Sequence, residues 1–136
     1  MILVDANVWI DVFEPGSAWC DWSMNALAAA ADRDQLAINP IIYAETAAGY
    51  ATADALSARF EPEIVRCLPL PYAAGFAAGK AFQLYRRRGG ARTAPLPDFY
   101  IGAHAAVQGL PILTRDPRRY QGYFPSVRLI TPETET

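Results

Sequence analysis

Short apolar runs alternate with longer stretches of helical periodicity along this chain. The apolar runs predict five strands, at residues 1–4, 36–39, 64–68, 112–114 and 127–130. Helical patterns fill the intervals, most clearly at residues 72–88 and from residue 98 to Gly109 and Pro111, which end the pattern. Because strands that alternate with helices form parallel sheets covered on both faces, we predict an α/β fold: a three-layer α/β/α sandwich with a central, mainly parallel five-stranded sheet.

The first half of the chain is predicted to contain four of the helices. They lie at residues 5–13, from Ser17 to about residue 31, after Pro40, and at residues 51–60. Ser17 is the predicted N-cap of the second helix. Its apolar residues recur at helical spacing, so we expect this stripe to face the core. The stripe comprises Trp19, Trp22, Ala26 and Ala30.

The composition is that of one compact domain. The chain has 136 residues, of which 52% are hydrophobic and 19% charged, and we predict a single domain over residues 1–136. No basic segment followed by an apolar one stands at the N-terminus, so no secretory signal is expected. The longest stretch without Asp, Glu, Lys or Arg, residues 99–114, contains His104 and Pro111 and does not suit a membrane span. We therefore expect a cytoplasmic protein.

Four acidic residues stand where the predicted fold would bring them together. Asp5 and Asp116 follow the first and fourth predicted strands, Asp98 opens a helix, and Glu45 lies in the second turn of another. Ligand sites of open parallel sheets lie outside the carboxyl ends of the strands, so these carboxylates should cluster. Carboxylates a few ångströms apart do not all stay ionised near neutral pH unless a divalent cation lies among them. A hard metal such as Mg²⁺ is the first inference.

Basic residues are concentrated in one stretch of the chain. Residues 64–97 contain no Asp or Glu but six basic side chains, at Arg66, Lys80, Arg86, Arg87, Arg88 and Arg92. A local positive excess beside an acidic centre suits a polyanion that must be drawn toward a metal. Arg86 and Arg87 are candidate substrate-binding residues, and so is Arg115, which lies nearer to the predicted site.

The motifs around the four acids resemble those of PIN-domain ribonucleases, and within them the VapC-type toxins of bacterial toxin–antitoxin modules. The resemblance rests on four segments over nearly the whole chain: LVDANVWID at residues 3–11, NPII before Glu45, DFYIGAHA at residues 98–105 and LPILTRD at residues 110–116. Ala6 stands where the family often has Thr or Ser. All four acidic positions are filled, so an active enzyme is expected.

The resemblance implies a metal-dependent endoribonuclease with a divided set of carboxylates. Asp5 and Asp98 are expected to contact Mg²⁺ directly, and Asp116 directly or through water, with Mn²⁺ able to replace Mg²⁺. Glu45 is the expected residue to orient or deprotonate the attacking water. Asn7 and Thr114, each two residues from an acid, are expected to donate hydrogen bonds that hold a carboxylate in place.

The resemblance also implies partners: an RNA substrate, a cognate antitoxin protein of the VapB type, and a second copy of the chain in a homodimer.

His104 is offset by six residues from Asp98, which at ~100° per residue turns it to another face of the helix, so packing or solvent contact is predicted rather than catalysis.

Three other hypotheses fit parts of the pattern. A phosphoacceptor receiver domain needs an Asp after its third strand and a Lys after its fifth, and Arg66-Cys67-Leu68-Pro69 and Thr131-Pro132 stand there instead. A haloacid-dehalogenase-type phosphatase needs an Asp where Asn7 stands. A PIN-fold binding module, or a nuclease outside a toxin–antitoxin system, remains the alternative.

Overall fold

A computed structural model describes residues 1–14 and 16–132 of the chain. In this part of the chain, five strands alternate with seven helices and one 3-10 turn at Ala47–Gly49. The strands are β1 (Ile2–Val4), β2 (Leu36–Ile38), β3 (Val65–Cys67), β4 (Ile112–Leu113) and β5 (Leu129–Ile130). The helices are α1 (Ala6–Phe13), α2 (Cys20–Arg33), α3 (Pro40–Thr46), α4 (Ala53–Ser57), α5 (Tyr72–Arg87), α6 (Pro97–Gln108) and α7 (Arg118–Tyr123).

The strands form one parallel sheet in the order β3-β2-β1-β4-β5. β1 lies at its centre, where Leu3 pairs with Ala37 on one side and with Ile112 on the other. Because β-α-β crossovers are right-handed, the chain runs outward in one direction with α1 to α4 on one face and then returns with α5 to α7 on the opposite face. The predicted three-layer α/β/α sandwich is confirmed.

This winding fixes the position of the candidate site. The chain reverses its direction of winding between β1 and β4, and ligands of doubly wound sheets bind at such a reversal, beyond the carboxyl ends of the strands. Asp5 directly follows β1, and Asp116 lies three residues after β4. The edge between these two strands therefore carries two of the four predicted acids.

Local signals in the sequence account for several element boundaries. Asp5 caps α1 by accepting a hydrogen bond from its own neighbour Ala6, and Asn39 caps α3 by accepting from the backbone N–H of Ile42. Gly109 ends α6 in the left-handed conformation at φ 66°, which glycine adopts without steric cost. These caps orient the helices that carry the acids.

Three predictions for the first half of the chain were wrong in part. α2 begins after Trp19 with no side-chain cap; the Ser17 hydroxyl lies before the helix, where it accepts from the Trp19 backbone N–H and donates to Asp11. In the predicted apolar stripe, Ala26 and Ala30 are buried and Trp22 packs on the core half-buried, but the Trp19 side chain is 40% exposed. The helix predicted at residues 51–60 is shorter, as Ala53–Ser57.

None of the helices in the described part of the chain is both long enough and apolar enough to cross a membrane. The predicted boundaries of the single domain include residues 133–136, which lie outside the described residues.

Candidate active site

The four predicted acids line one cleft at the carboxyl end of the sheet. The cleft has a volume of about 290 Å³ and is also lined by Ala6, Asn7 and Ile10. Asp5 directly follows β1, and Asp116 lies in the loop after β4. Glu45 lies on α3, and Asp98 lies in the first turn of α6. Residues from four separate segments thus meet where the sequence predicted them to meet.

Asp5 is the most deeply buried and most firmly held of the four acids. It is 6% exposed, and its carboxylate accepts hydrogen bonds from the Ala6 backbone N–H at 2.8 Å and from the Thr114 hydroxyl and the Tyr120 phenol at 2.9 Å each. Burial raises the pKa of Asp5 above its ordinary value, although the three hydrogen bonds oppose this shift. The charge of Asp116 raises it further.

Thr114 joins two of the acids. Its hydroxyl donates to Asp5 and accepts from the backbone N–H of Asp116 at 3.1 Å and from the Asn7 amide at 3.2 Å. The structure therefore places Thr114 in direct contact with a site carboxylate. Asn7 instead reaches Thr114, and its own amide oxygen accepts from the backbone N–H of Arg115 at 3.4 Å.

Glu45 and Asp98 have the most strongly perturbed acidities among the exposed or half-buried groups of the site. Burial, followed by the negative charges of Asp5 and Asp98, raises the pKa of Glu45 to about 7. Burial and the charge of Asp5 raise the pKa of Asp98 to about 6, although the nearby Arg119 lowers it. Both pKa values are raised by burial first and by crowded negative charge second, a combination that is common at catalytic sites.

Three consecutive residues at the start of α7, which the sequence analysis did not single out, each contact a different site carboxylate. The pairs are Arg118 Nε with Asp116 Oδ1 at 3.1 Å, Arg119 Nε with Asp98 Oδ2 at 3.5 Å, and the Tyr120 hydroxyl with Asp5 Oδ2 at 2.9 Å. Glu45 has no such partner from α7. Two arginines directly after an acidic motif were the available sequence signal.

The donor chemistry of the cleft suits a hard divalent cation. Carboxylate and amide oxygens line it, and these are ligands that Mg²⁺ and Mn²⁺ take. Within residues 1–14 and 16–132, no three acidic, histidine or cysteine side chains already stand as a metal-binding group. Mg²⁺ usually keeps several waters and binds one or two carboxylates, so the fit rests on the type of donor atom and on the raised pKa values of Glu45 and Asp98 rather than on a closed cage.

Arg115, a predicted substrate-binding residue, is engaged elsewhere. Its guanidinium binds Asp11 through Nε at 2.7 Å and Nη2 at 3.1 Å, and Asp11 is buried. Ser17 and Ser23 also donate to Asp11, and the guanidinium holds the pKa of this carboxyl below its ordinary value against the effect of burial. This contact anchors the loop after β4 onto α1 and α2.

The other predicted substrate-binding residues, Arg86 and Arg87, lie at the end of the helix that packs beside α6. α5 and α6 pack closely as a helical pair joined by a short loop, which brings the end of α5 toward the start of α6. Tyr85 of α5 contacts Phe99, the neighbour of Asp98, with ring centroids 5.5 Å apart. Arg86 donates to the backbone carbonyl of Arg92 at 2.7 Å, and Arg87 is exposed.

His104 is a packing residue, as predicted. It is fully buried, and its Nδ1 lies 3.0 Å from the amide nitrogen of Asn39. The Asn39 amide oxygen already accepts from Ile42, so Nδ1 must be the acceptor, and Nε2–H donates to Gln108 at 2.9 Å. The ring is therefore the neutral tautomer, consistent with a pKa that burial lowers. It links the cap of α3 to α6.

Comparison with known proteins identifies relatives of this fold. The PIN domain family model matches residues 2–124. VapBC2 from Rickettsia felis, in a structure bound to a promoter DNA fragment, is similar with a TM-score of 0.72 and 16% identity, covering 96% of this chain and 98% of that one. A toxin–antitoxin complex from Klebsiella pneumoniae has a TM-score of 0.71 and 23% identity over 97% and 98% of the two chains.

A third similar structure is the sarcin-ricin loop cleaving toxin VapC20 from Mycobacterium tuberculosis. Its TM-score is 0.66 at 18% identity, over 94% of this chain and 99% of that one. None of the curated proteins compared with the chain matches it. The likeness to these structures lies in the fold.

Proposed function

The chain belongs to the PIN domain family, and we propose that it is a Mg²⁺-dependent endoribonuclease that acts as the toxin of a type II toxin–antitoxin system. The single observation that carries this proposal is the meeting of Asp5, Glu45, Asp98 and Asp116 in one cleft at the reversal point of a parallel sheet. Excess negative charge in an oxygen-lined cleft is the setting in which a divalent cation binds.

In this proposal, Asp5, Asp98 and Asp116 hold the cation, which lowers the pKa of water and neutralises charge on the scissile phosphate when bound. Asp5 is oriented by its three hydrogen-bond donors, with Thr114 and Tyr120 among them. A rigid carboxylate keeps a bound ion in one position relative to the substrate.

Glu45 is the proposed proton acceptor. In the metal-free protein, burial and the charges of Asp5 and Asp98 raise the pKa of Glu45 to about 7. A cation on Asp5 and Asp98 would cancel their charges and lower this pKa, so Glu45 would be ionised at neutral pH and able to accept a proton from the attacking water. Attack on phosphorus in line with the P–O3′ bond breaks that bond, and the leaving O3′ takes a proton from water, so the products carry a 5′-phosphate and a 3′-hydroxyl.

The proposed substrate is RNA. Arg86 and Arg87 belong to the acid-free stretch of residues 64–97 and lie at the end of α5, which packs beside the helix that carries Asp98. Positive charge in that position would draw the phosphate backbone toward the acids. VapC20 supports the same substrate class, because it is described as cleaving the sarcin-ricin loop.

The proposed partners are a VapB-like antitoxin and a second copy of this chain, in the cytoplasm. Structures of VapBC toxin–antitoxin complexes from several bacteria share the fold, which supports an antitoxin partner. The homodimer rests on the family resemblance alone. Growth arrest on expression, relieved by co-expression of the protein encoded by the neighbouring gene, would support the toxin role.

Purified protein incubated with total RNA tests the nuclease activity. Cleavage should require Mg²⁺ or Mn²⁺ and stop on addition of EDTA. Asp98→Asn should reduce the rate by about 100-fold or more, because it removes a metal-binding charge while keeping the side-chain volume. Asp32→Asn, which removes the same charge from an exposed position on α2, should cleave normally.

Circular dichroism of both variants should match that of the wild type. Full activity of Asp98→Asn would refute the assignment of the site. Absence of cleavage by the wild type, together with intact binding of the antitoxin, would favour the PIN-fold binding module instead.

A further inference from the structure

Arg119 differs from the other arginines near the acidic cleft in how it is held. Its Nε lies 3.5 Å from Asp98 Oδ2, and its guanidinium lies 5.8 Å from the Tyr85 ring centroid and 5.7 Å from that of Phe99. The side chain is 36% exposed. The charged group is therefore fixed by two kinds of contact and still reachable from solvent.

The alternatives are less suited to meet a substrate in the cleft. Arg118 binds Asp116 but is 86% exposed, and within the described residues it lies over no aromatic ring, so solvent screens its ion pair. Arg115 is bound through two nitrogens to buried Asp11 and lies 5.8 Å from the Trp19 ring centroid, so it pairs with no acid of the cleft in the described part of the chain. Arg119 is thus the one of these three arginines that combines an ion pair with a site acid and contacts with aromatic rings.

A divalent cation held by Asp98 would compete with Arg119 for this carboxylate. An ion bound by Asp98 neutralises it and weakens the attraction that holds Arg119 at Oδ2. The contacts with Tyr85 and Phe99 do not depend on that carboxylate, because they arise from the negative faces of the rings. When the ion binds, the guanidinium is expected to stay over the rings at the edge of the cleft with its donors free.

We propose that Arg119 exchanges partners during the reaction cycle: it neutralises Asp98 in the metal-free protein and binds a phosphate of the RNA once a divalent cation occupies Asp98. The planar guanidinium presents paired N–H donors that match phosphate oxygens. This inference rests on the proposed function for the identity of the substrate. It also replaces Arg115 by Arg119 as the arginine that meets RNA at the site.

Opposite effects of one substitution on two ligands test the proposal. Without RNA, Arg119→Gln should bind Mn²⁺ about threefold to fivefold more tightly than the wild type, because a competing cation is gone. The free Mn²⁺ is measured by electron paramagnetic resonance. Arg88→Gln is the matched control, since Arg88 also covers a ring, that of Tyr123, and does not contact a site acid. Its Mn²⁺ affinity should stay within about twofold of the wild type.

RNA binding should change in the opposite direction. With Ca²⁺ in place of Mg²⁺, a fluorescently labelled single-stranded RNA should bind Arg119→Gln about fivefold to tenfold more weakly than the wild type in an anisotropy titration. A gel of the same samples verifies that the RNA stays intact. If the substitution only disturbed packing, the binding of both ligands would weaken. If it acted only through long-range charge, Arg88→Gln would show the same changes in affinity.

The outcomes separate this proposal from the proposed function. Unchanged or weaker Mn²⁺ binding by Arg119→Gln, unchanged RNA binding, or equal effects in Arg88→Gln would overturn the partner exchange even if the wild type cleaves RNA. A wild type that binds Mn²⁺ but cleaves no RNA would refute the nuclease function, and the Mn²⁺ titration would still report whether Arg119 competes for Asp98.

Discussion

Replacing Glu45 by Gln should stabilise the metal-free protein at alkaline pH and leave it unchanged at acidic pH. The pKa of Glu45 is raised from 4.5 to about 7 by burial and by the charges of Asp5 and Asp98. Glutamine removes the charge and keeps the shape of the side chain. The substitution therefore measures the free energy of unfolding that the protein loses by holding this carboxylate, in its ionised form, beside the other acids.

The size of the effect follows from the shift in pKa. One pKa unit corresponds to 1.36 kcal/mol, so a shift from 4.5 to about 7 would amount to about 3 kcal/mol if fully expressed. Glu45 is exposed in part, and water screens its interactions, which reduces the expected cost to about 1 kcal/mol. With an unfolding entropy of about 2.1 cal/mol/K per residue, this corresponds to about 3–4 °C in melting temperature for this chain.

The direction with pH is fixed by linkage. Below pH 4.5, Glu45 is protonated in both the folded and the unfolded chain, so the variant and the wild type should melt together. As pH rises toward about 7, the unfolded chain releases this proton first, and the wild type loses stability that the variant keeps. Above pH 7 the difference should be constant at its full value.

Thermal unfolding followed by circular dichroism from below pH 4.5 up to pH 8, in EDTA, measures this difference. Glu63→Gln, an exposed residue outside the cleft, is the matched control for removal of one negative charge. Addition of Mg²⁺ at pH 8 should raise the melting temperature of the wild type more than that of Glu45→Gln. A difference that does not depend on pH, or a variant less stable than the wild type at pH 8, would refute the crowding of charge at Glu45.

Three further substitutions test how the site and its support are built. Tyr120→Phe removes a buried donor to Asp5 and should lower the free energy of unfolding by about 1–3 kcal/mol in a urea titration, and weaken Mn²⁺ binding; unchanged affinity for Mn²⁺ would show that Asp5 does not need this donor. Gly102→Ala places a methyl group against the Phe124 ring and should cost about 1–3 kcal/mol, whereas an unchanged urea midpoint would contradict the close packing of these residues. Asp11→Asn weakens a buried ion pair and should cost about 1–3 kcal/mol without abolishing RNA cleavage; complete loss of cleavage in a folded variant would assign Asp11 to the chemistry instead.

The positions of the four acids were predictable because each is tied to a local signal. Asp5 and Asp116 follow apolar runs, Asp98 follows a proline at a helix start, and Glu45 comes after the Asn-Pro that begins α3. In a parallel sheet such positions converge on one edge whatever the details of packing. Local chemistry and a simple rule of topology were therefore sufficient to place the acids in one cleft.

The partners of the acids were not predictable in this way. α7 is six residues long and has no side-chain cap, so its sequence carries little helical signal. Its residue Tyr120 is buried against Asp5, 115 positions away in sequence, and the loop before α7 is bound to α1 through Arg115 and Asp11, 104 positions apart. Contacts between residues so far apart produce no periodic pattern in the sequence. The exposed Trp19 shows a second limit of sequence patterns: helical spacing identifies a stripe of residues but does not tell which of them become buried.

The four acids differ in how firmly the protein itself holds them, and this difference assigns them an order of recruitment. Asp5 is buried with three hydrogen bonds, so it is positioned before any ligand arrives. Asp98 and Asp116 are held by arginine side chains that can leave, and Glu45 has no donor from α7. A cation entering this cleft would therefore meet one fixed carboxylate and would compete with arginine side chains for two others. Arg119, which also rests on the rings of Tyr85 and Phe99, is the arginine that would keep its positive charge beside an RNA phosphate once a cation occupies Asp98.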